Sequence, residues 1–286
     1  VSVWLIALAG GKLLAASILF CAVWVMASPA LAVLLVRRHR WLSFGMKYAS
    51  WSELRRLFKP AMANIAFPAS QALNVQGMIL VVGAVLGPVA VVIFSTLRTL
   101  TRLVFQLVVA VGNATEPELA AAYGMRNHRL ISALFINQLR AAFWLAAIAS
   151  VALAASGNLI LRLWTHGQIF MQPTLFSFLL ISGLASTLWF GSLNALKAAN
   201  LHLRATVAYV LSSGAAVGLA ALMLSFMSDV ACAGLALLVM DAAMIFYTAR
   251  SMSSLLGIRP VSAFLSAVNP YPLCSYLAGK LLTRRA

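Results

Sequence analysis

Residues 13–36 read LLAASILFCAVWVMASPALAVLLV, 24 positions without one charge. A helix of about 20 apolar residues, rising 1.5 Å per residue, crosses the ~30 Å hydrocarbon core of a bilayer. Six further runs meet the same rule, at 57–83, 88–113, 134–155, 174–196, 205–226 and 230–249. Composition agrees, with 63% hydrophobic and 9% charged residues, whereas soluble domains carry about 25% charged residues. A soluble surface built from such a chain would be too apolar to stay dissolved. A soluble enzyme, a disordered regulator and a secreted disulfide scaffold are excluded on this ground. The expected fold is all-α, a polytopic membrane bundle of about seven transmembrane helices.

The ends of the chain fit this frame. The first nine residues, VSVWLIALA, are too short to cross and read as the end of another hydrophobic element. The run at 13–36 is too long for the h-region of a signal peptide. The tail from Arg259 to Ala286 holds Pro260, Pro270 and Pro272, and is expected to be interfacial or loosely ordered instead of forming an eighth span.

Charge sets an orientation. The 21 Lys and Arg against 5 Asp and Glu would suit nucleic acid only if they clustered on a soluble face. They lie instead in the gaps between apolar runs. With the loop after the first span in the cytoplasm, sixteen fall on the cytoplasmic side, mostly in the basic linker 37–56 and the tail 251–286. Lys12 and Arg162 fall outside, and Arg98, Arg102 and Arg140 fall within spans. That asymmetry is the positive-inside pattern. Segment 117–133 is expected to start a helix at Pro117 and extend the fourth span. Segment 158–170 (NLILRLWTHGQIF) is expected to lie in the outer interface.

Polar residues inside spans are costly and therefore informative. Ser95, Arg98, Thr99, Arg102 and Gln106 share one face of the third span. A charge at mid-span costs about 2.5–3.5 kcal/mol on insertion scales. The face therefore either lines a hydrated cavity that takes an anion, or pairs with Asp241 or Glu116. Asn64, Gln71 and Asn74 form a second stripe, with Pro68 among them to free a carbonyl. Asn137, Arg140 and Trp144 share a face of the fourth span, where Arg140 either faces the interior or snorkels. Asp241, the one mid-span carboxylate, is a candidate for ion coupling or a structural partner. Gly214 and Gly218 form a GxxxG, which reads as close helix packing.

Reaction chemistry has little to stand on. No GxxxxGK[ST] loop occurs, His39, His128, His166 and His202 are scattered in loops, and no carboxylates pair for acid–base work. Cys21, Cys232 and Cys274 have no metal spacing and read as small hydrophobes. No cofactor, metal or catalytic residue is expected. The inventory is that of a conduit with positive walls.

The segments LRRLFKPAMANIAFPASQALNVQGMILVVGAVLGPVAVVIFSTLRTLTRL (54–103) and GNATEPELAAAYGMRN (112–127) resemble the polysaccharide-transporter branch of the multidrug/oligosaccharidyl-lipid/polysaccharide exporter superfamily. So do NALKAANLHLRATVAYVLSSGAAVGLAALML (194–224) and VACAGLALLVMDAAMIFYTAR (230–250). These are the flippases of O-antigen and capsule repeat units, built as two six-helix lobes with alternating access. The resemblance implies that 1–36 ends the first lobe, 37–56 is a linker and 57–250 is the second lobe. The sequence is then the rear of a longer transporter, a half-transporter that pairs with another chain, or a remnant. The resemblance also implies an undecaprenyl-pyrophosphate-linked oligosaccharide as cargo and the bacterial inner membrane as location, in lipopolysaccharide and other surface polysaccharide biosynthesis. Arg98, Arg102 and Arg140 would meet the pyrophosphate, and Asn64, Gln71, Asn74 and Gln106 the sugars. Membrane lipids are expected partners; nucleic acid is not. A multidrug exporter of the same superfamily is the nearest rival, and a membrane glycan polymerase or acyltransferase a more distant one.

Overall fold

The computed structural model describes residues 13–38, 50–257 and 259–269. The N-terminal VSVWLIALA element, most of the 37–56 linker, Cys274 and the end of the tail lie outside the described residues. All regular structure among them is helical: α1 Leu13–Arg38, α2 Trp51–Ala72, a π turn Leu73–Gly77, α3 Met78–Leu86, α4 Pro88–Gly124, α5 His128–Trp164, α6 Pro173–Ala198, α7 Leu203–Met227, α8 Ala231–Leu256 and α9 Pro260–Val268. Seven segments among the described residues are long and apolar enough to span a bilayer. The protein is an all-α, multi-pass membrane protein.

The chain divides into two compact units, Val1–Leu57 and Phe58–Ala286. In the first unit, α1 carries apolar side chains all round, and Trp24 is 63% exposed. Such a surface is suited to lipid. In the second unit, each α3-to-α4 step obeys local chemistry. α3 stops at Gly87, whose φ of 83° needs a residue without Cβ, and Pro88 opens α4 at N1. Asn127 caps α5, its Oδ1 accepting from the Leu130 N–H at 3.1 Å. Pro173 opens α6, and Asp229 Oδ1 accepts the Ala231 N–H at 2.9 Å before α8.

Packing closes a ring within the second unit. α3 packs on α4, α4 on α6, α6 on α8, α8 on α7, and α7 returns to α3 and the π turn. α5 lies against α4 and α6, while α9 lies against α5 and α8. α6 is the central post, with every residue from Trp189 to Leu196 buried. Small residues allow the close crossings that membrane bundles use. A Cβ on Gly183 would stand 3.3 Å from Val104 Cγ1, and one on Gly234 3.0 Å from Phe178 Cβ.

Four expectations are corrected. α4 and α5 each run 37 residues, about 55 Å, beyond what the hydrocarbon alone requires. Pro117 does not open a helix; it lies inside α4, so 117–124 prolongs the third span and only 128–133 the fourth. Residues 158–164 do not form a separate interfacial helix but continue α5 to Trp164. The Gly214/Gly218 pair makes no close crossing either: a Cβ at Gly218 meets nothing within 4 Å, and one at Gly214 only touches Leu73 at 4.0 Å. The close approach to α7 comes from Gly77, whose added Cβ would stand 3.0 Å from Val217 Cγ2.

Candidate functional site: a cationic double cavity in the second unit

The helix ring encloses two cavities that share Gln71, Arg102 and Phe105 in their walls. The inner one, about 100 Å³, is lined by the Asn74, Arg98, Ser182, Trp189, Tyr209 and Asp241 side chains among others. The wider one, about 470 Å³, adds Asn64, Gln106, Asn113, Asn194, Lys197 and His202. Their walls come from α2, the π turn, α4, α6, α7 and α8, together with His202 before α7.

Arg98 is placed by the π turn. A π turn shifts the backbone ladder by one residue, loosens carbonyl groups from their ordinary partners and often marks functional positions. Here Arg98 Nη1 donates to the Asn74 carbonyl at 3.2 Å, and Arg98 Nη2 donates to Asn74 Oδ1. The Asn74 amide in turn donates to Met240 Sδ at 2.8 Å. The guanidinium also stands 5.5 Å from the Phe94 ring centroid, within cation–π range. All of these partners are neutral.

Asp241, 1% exposed, is anchored separately. Trp189 Nε1 donates to its Oδ1 at 2.7 Å, and Ser182 Oγ donates to its Oδ2. An aromatic cluster backs this anchor, with Trp189 and Tyr209 ring centroids 4.9 Å apart and Phe105 and Phe190 at 5.4 Å. Among the described residues, no ion pair joins Arg98 or Arg102 to a carboxylate. Glu116 is engaged elsewhere, accepting from Lys197 Nζ at 3.1 Å. The interhelical salt bridge entertained for the arginine face is therefore not formed among the described residues, although the Asp241 carboxylate lines the same inner cavity and acts on Arg98 through space.

The sequence stripes map onto these walls in part. Gln71, Asn74, Arg98 and Arg102 line the inner cavity, and Asn64, Gln71, Arg102 and Gln106 the wider one. Ser95 and Thr99 turn back on their own helix, donating to the Val92 and Ser95 carbonyls. Arg140 lines neither cavity. It is 8% exposed and donates to Asn137 Oδ1 at 3.0 Å and to the Ser266 carbonyl of α9 at 2.8 Å. There the open carbonyls and dipole of a helix C-terminus receive a cation.

Sequence reasoning passed over Ser182, Ser186 and Trp189, although they sit at i, i+4 and i+7 on α6, one face of a helix. It also left His202 among the scattered loop histidines. The structure buries His202 to 4% exposure in the wall of the wider cavity, with neither ring nitrogen hydrogen-bonded. Burial, and then the Lys197 charge, hold its ring below the ordinary histidine range.

Compared with protein-family models, curated proteins and solved structures, the chain gives no match. The site is accordingly argued from its own chemistry. It is a space lined by two arginines without an ion-pair partner among the described residues, one buried carboxylate, several amides and aromatic backing. Such a wall binds anionic groups by bidentate guanidinium contacts and hydroxylated groups by amides.

Proposed function

We propose that the chain is part of a transporter or flippase that moves a lipid-linked oligosaccharide across a membrane, its anionic pyrophosphate passing Arg98 and Arg102. The observation that carries this reading is the pair of arginines lining a cavity of the helix bundle, Arg98 held by neutral partners and neither arginine ion-paired with a carboxylate among the described residues. Burying a cation there is costly unless an anion arrives to share the site. A pyrophosphate competes well for Arg98 because the group it displaces, the Asn74 amide, is uncharged, and charge-assisted bonds are about twice as strong as neutral ones.

The wider cavity, with Asn64, Gln71, Gln106 and Asn113 on its walls, offers hydrogen-bonding amides of the kind that hydroxyl-rich sugars require. The cargo itself is what the resemblance of 54–103, 112–127, 194–224 and 230–250 to O-antigen and capsule flippases implies. On that reading the protein lies in a bacterial inner membrane with its basic linker and tail in the cytoplasm, and transport proceeds by alternating access without covalent chemistry. A cation exporter would want acidic walls, and the Asp241 carboxylate is already anchored by Trp189 and Ser182.

The test is flux. Reconstituted vesicles, or cells that depend on the protein, carrying Arg98→Ala with Arg102→Ala are expected to lose export of the lipid-linked saccharide. Bonds to charged groups contribute about 1.5–3 kcal/mol each, so each arginine should account for roughly ten- to hundredfold. Export at the wild-type rate in a double variant that folds normally would overturn the reading.

A further inference from the structure

We infer that the mouth of the wider cavity, where His202 and Lys197 share one wall, is a docking station for a phosphate-class anion that binds with proton uptake on His202. The inference rests on the transporter reading and adds to it a loading step with its own pH dependence.

The geometry starts from an unmet need. His202 lies in the short connection between α6 and α7, and its backbone is pinned there. The carbonyl of His202 accepts from the Thr206 N–H at 2.8 Å and from Thr206 Oγ1 at 3.0 Å. The ring is therefore held in the cavity wall, 4% exposed, with Nδ1 and Nε2 both unpartnered. A buried polar group left unsatisfied costs about 1–3 kcal/mol. Such a cost persists where a ligand removes it.

The charges around the ring select the ligand. Lys197 from α6 and Glu116 from α4 act on His202, and Arg102 from α4 lines the same cavity. Arg204, at the start of α7, is exposed. Lys197 is ion-paired with Glu116 at 3.1 Å while its side chain, 42% exposed, lines the cavity, so an incoming anion competes with that carboxylate for the ammonium. An incoming anion meets Arg102 and, as it displaces Glu116, Lys197. It then favours the protonated imidazole, whose two N–H groups become donors. A sugar hydroxyl would satisfy one ring nitrogen without drawing a proton, so proton uptake separates the two chemistries.

The sign follows from linkage. The empty site holds His202 neutral at neutral pH, and an anion stabilises the charged form. Affinity for the anion must therefore rise as pH falls, with at most one proton taken up per anion bound.

Inorganic sulfate is the probe, because its charge does not change between pH 5.5 and 7.5. Purified full chain in detergent micelles is titrated by calorimetry at constant ionic strength, in two buffers of different ionisation enthalpy to count protons. Wild type is expected to bind about tenfold tighter at pH 5.5 than at pH 7.5, with about half a proton taken up per sulfate on average over that range. His202→Gln, checked for an unchanged unfolding midpoint, should bind with no pH dependence. Lys197→Gln should weaken binding at both pH values. Arg98→Gln, altered only in the inner cavity, should keep the pH dependence. The same tenfold change in His202→Gln, or no sulfate binding by wild type at either pH, would overturn the inference. The flux of the Arg98/Arg102 variant decides the transporter reading independently: lost flux beside pH-independent sulfate binding leaves that reading standing and removes this one.

Discussion

Trp189→Phe tests whether a neutral donor holds the buried carboxylate of the inner cavity. The substitution keeps an aromatic ring on α6 and removes Nε1, which donates to Asp241 Oδ1 at 2.7 Å. Hydrogen bonds between membrane helices average about 0.6 kcal/mol, with a maximum near 1.7, and bonds to charged groups lie at the upper end of any such range. Among the described residues Asp241 has no ion-pair partner, and Trp189 and Ser182 are its hydrogen-bond donors. We therefore assign the Trp189 bond about 1.5 kcal/mol. In an Asp241→Asn background the amide oxygen still accepts from Trp189, but without charge, and the same deletion should cost about 0.6 kcal/mol.

The smaller volume of the phenyl ring enters both backgrounds equally and cancels in the double-mutant cycle. The cycle should return a coupling of about 1 kcal/mol. For a unit of this size that is about 2–4 °C in unfolding midpoint. The four proteins are compared by thermal unfolding in one detergent at one pH. If Trp189→Phe lowers the midpoint equally in both backgrounds, within about 0.3 kcal/mol, Trp189 is not stabilising a charged carboxylate and the account of this anchor is wrong.

The other predictions concern packing and the tail helix. Gly157→Ala would place a Cβ 2.8 Å from the Phe176 ring, and a ring wedged between helices yields poorly, so a loss of about 1–3 kcal/mol is expected. Gly218→Ala meets nothing within 4 Å; its unfolding midpoint should hold or rise, because alanine is the better helix former. Arg140→Met removes the bond to the Ser266 carbonyl, and should speed amide hydrogen exchange over 260–268 several-fold while leaving sulfate binding at the cavity unchanged.

Much of the bundle was written in the apolar runs, because only a helix can satisfy its backbone in hydrocarbon and run length counts the crossings. Hydropathy says nothing about where a helix stops once it leaves lipid. ELAAAYG and NLILRLW are good helix sequence whatever surrounds them, so α4 and α5 run past their apolar stretches. Arg98, Arg102, Gln71 and Asn74 were legible because polar residues at helical spacing inside a span have few bland explanations. Ser182, Trp189 and Tyr209 were not, since serine, tryptophan and tyrosine are unremarkable in membrane helices until a partner such as Asp241 is brought against them. His202 depends on the connection 199–202 being brought against walls from α2, α4 and α6, a fact of tertiary packing. The GxxxG of α7 misled because small spacing shows that a close approach is allowed, and cannot show that a neighbour takes it.

The π turn at Leu73–Gly77 has a consequence for how this site could arise and be lost. One residue more than an α-helix needs turns everything on one side of it by about 100° relative to the other. Gln71 is thereby aimed at the cavities while Gly77 and Met78 are aimed at Val217 and the core. The two halves are clocked separately, each to its own neighbours. A one-residue deletion there would keep the composition, the length class and the hydropathy of the span nearly unchanged. It would nonetheless dial the amide wall away from the arginines, so the site is exposed to a kind of sequence change that substitution scans never sample.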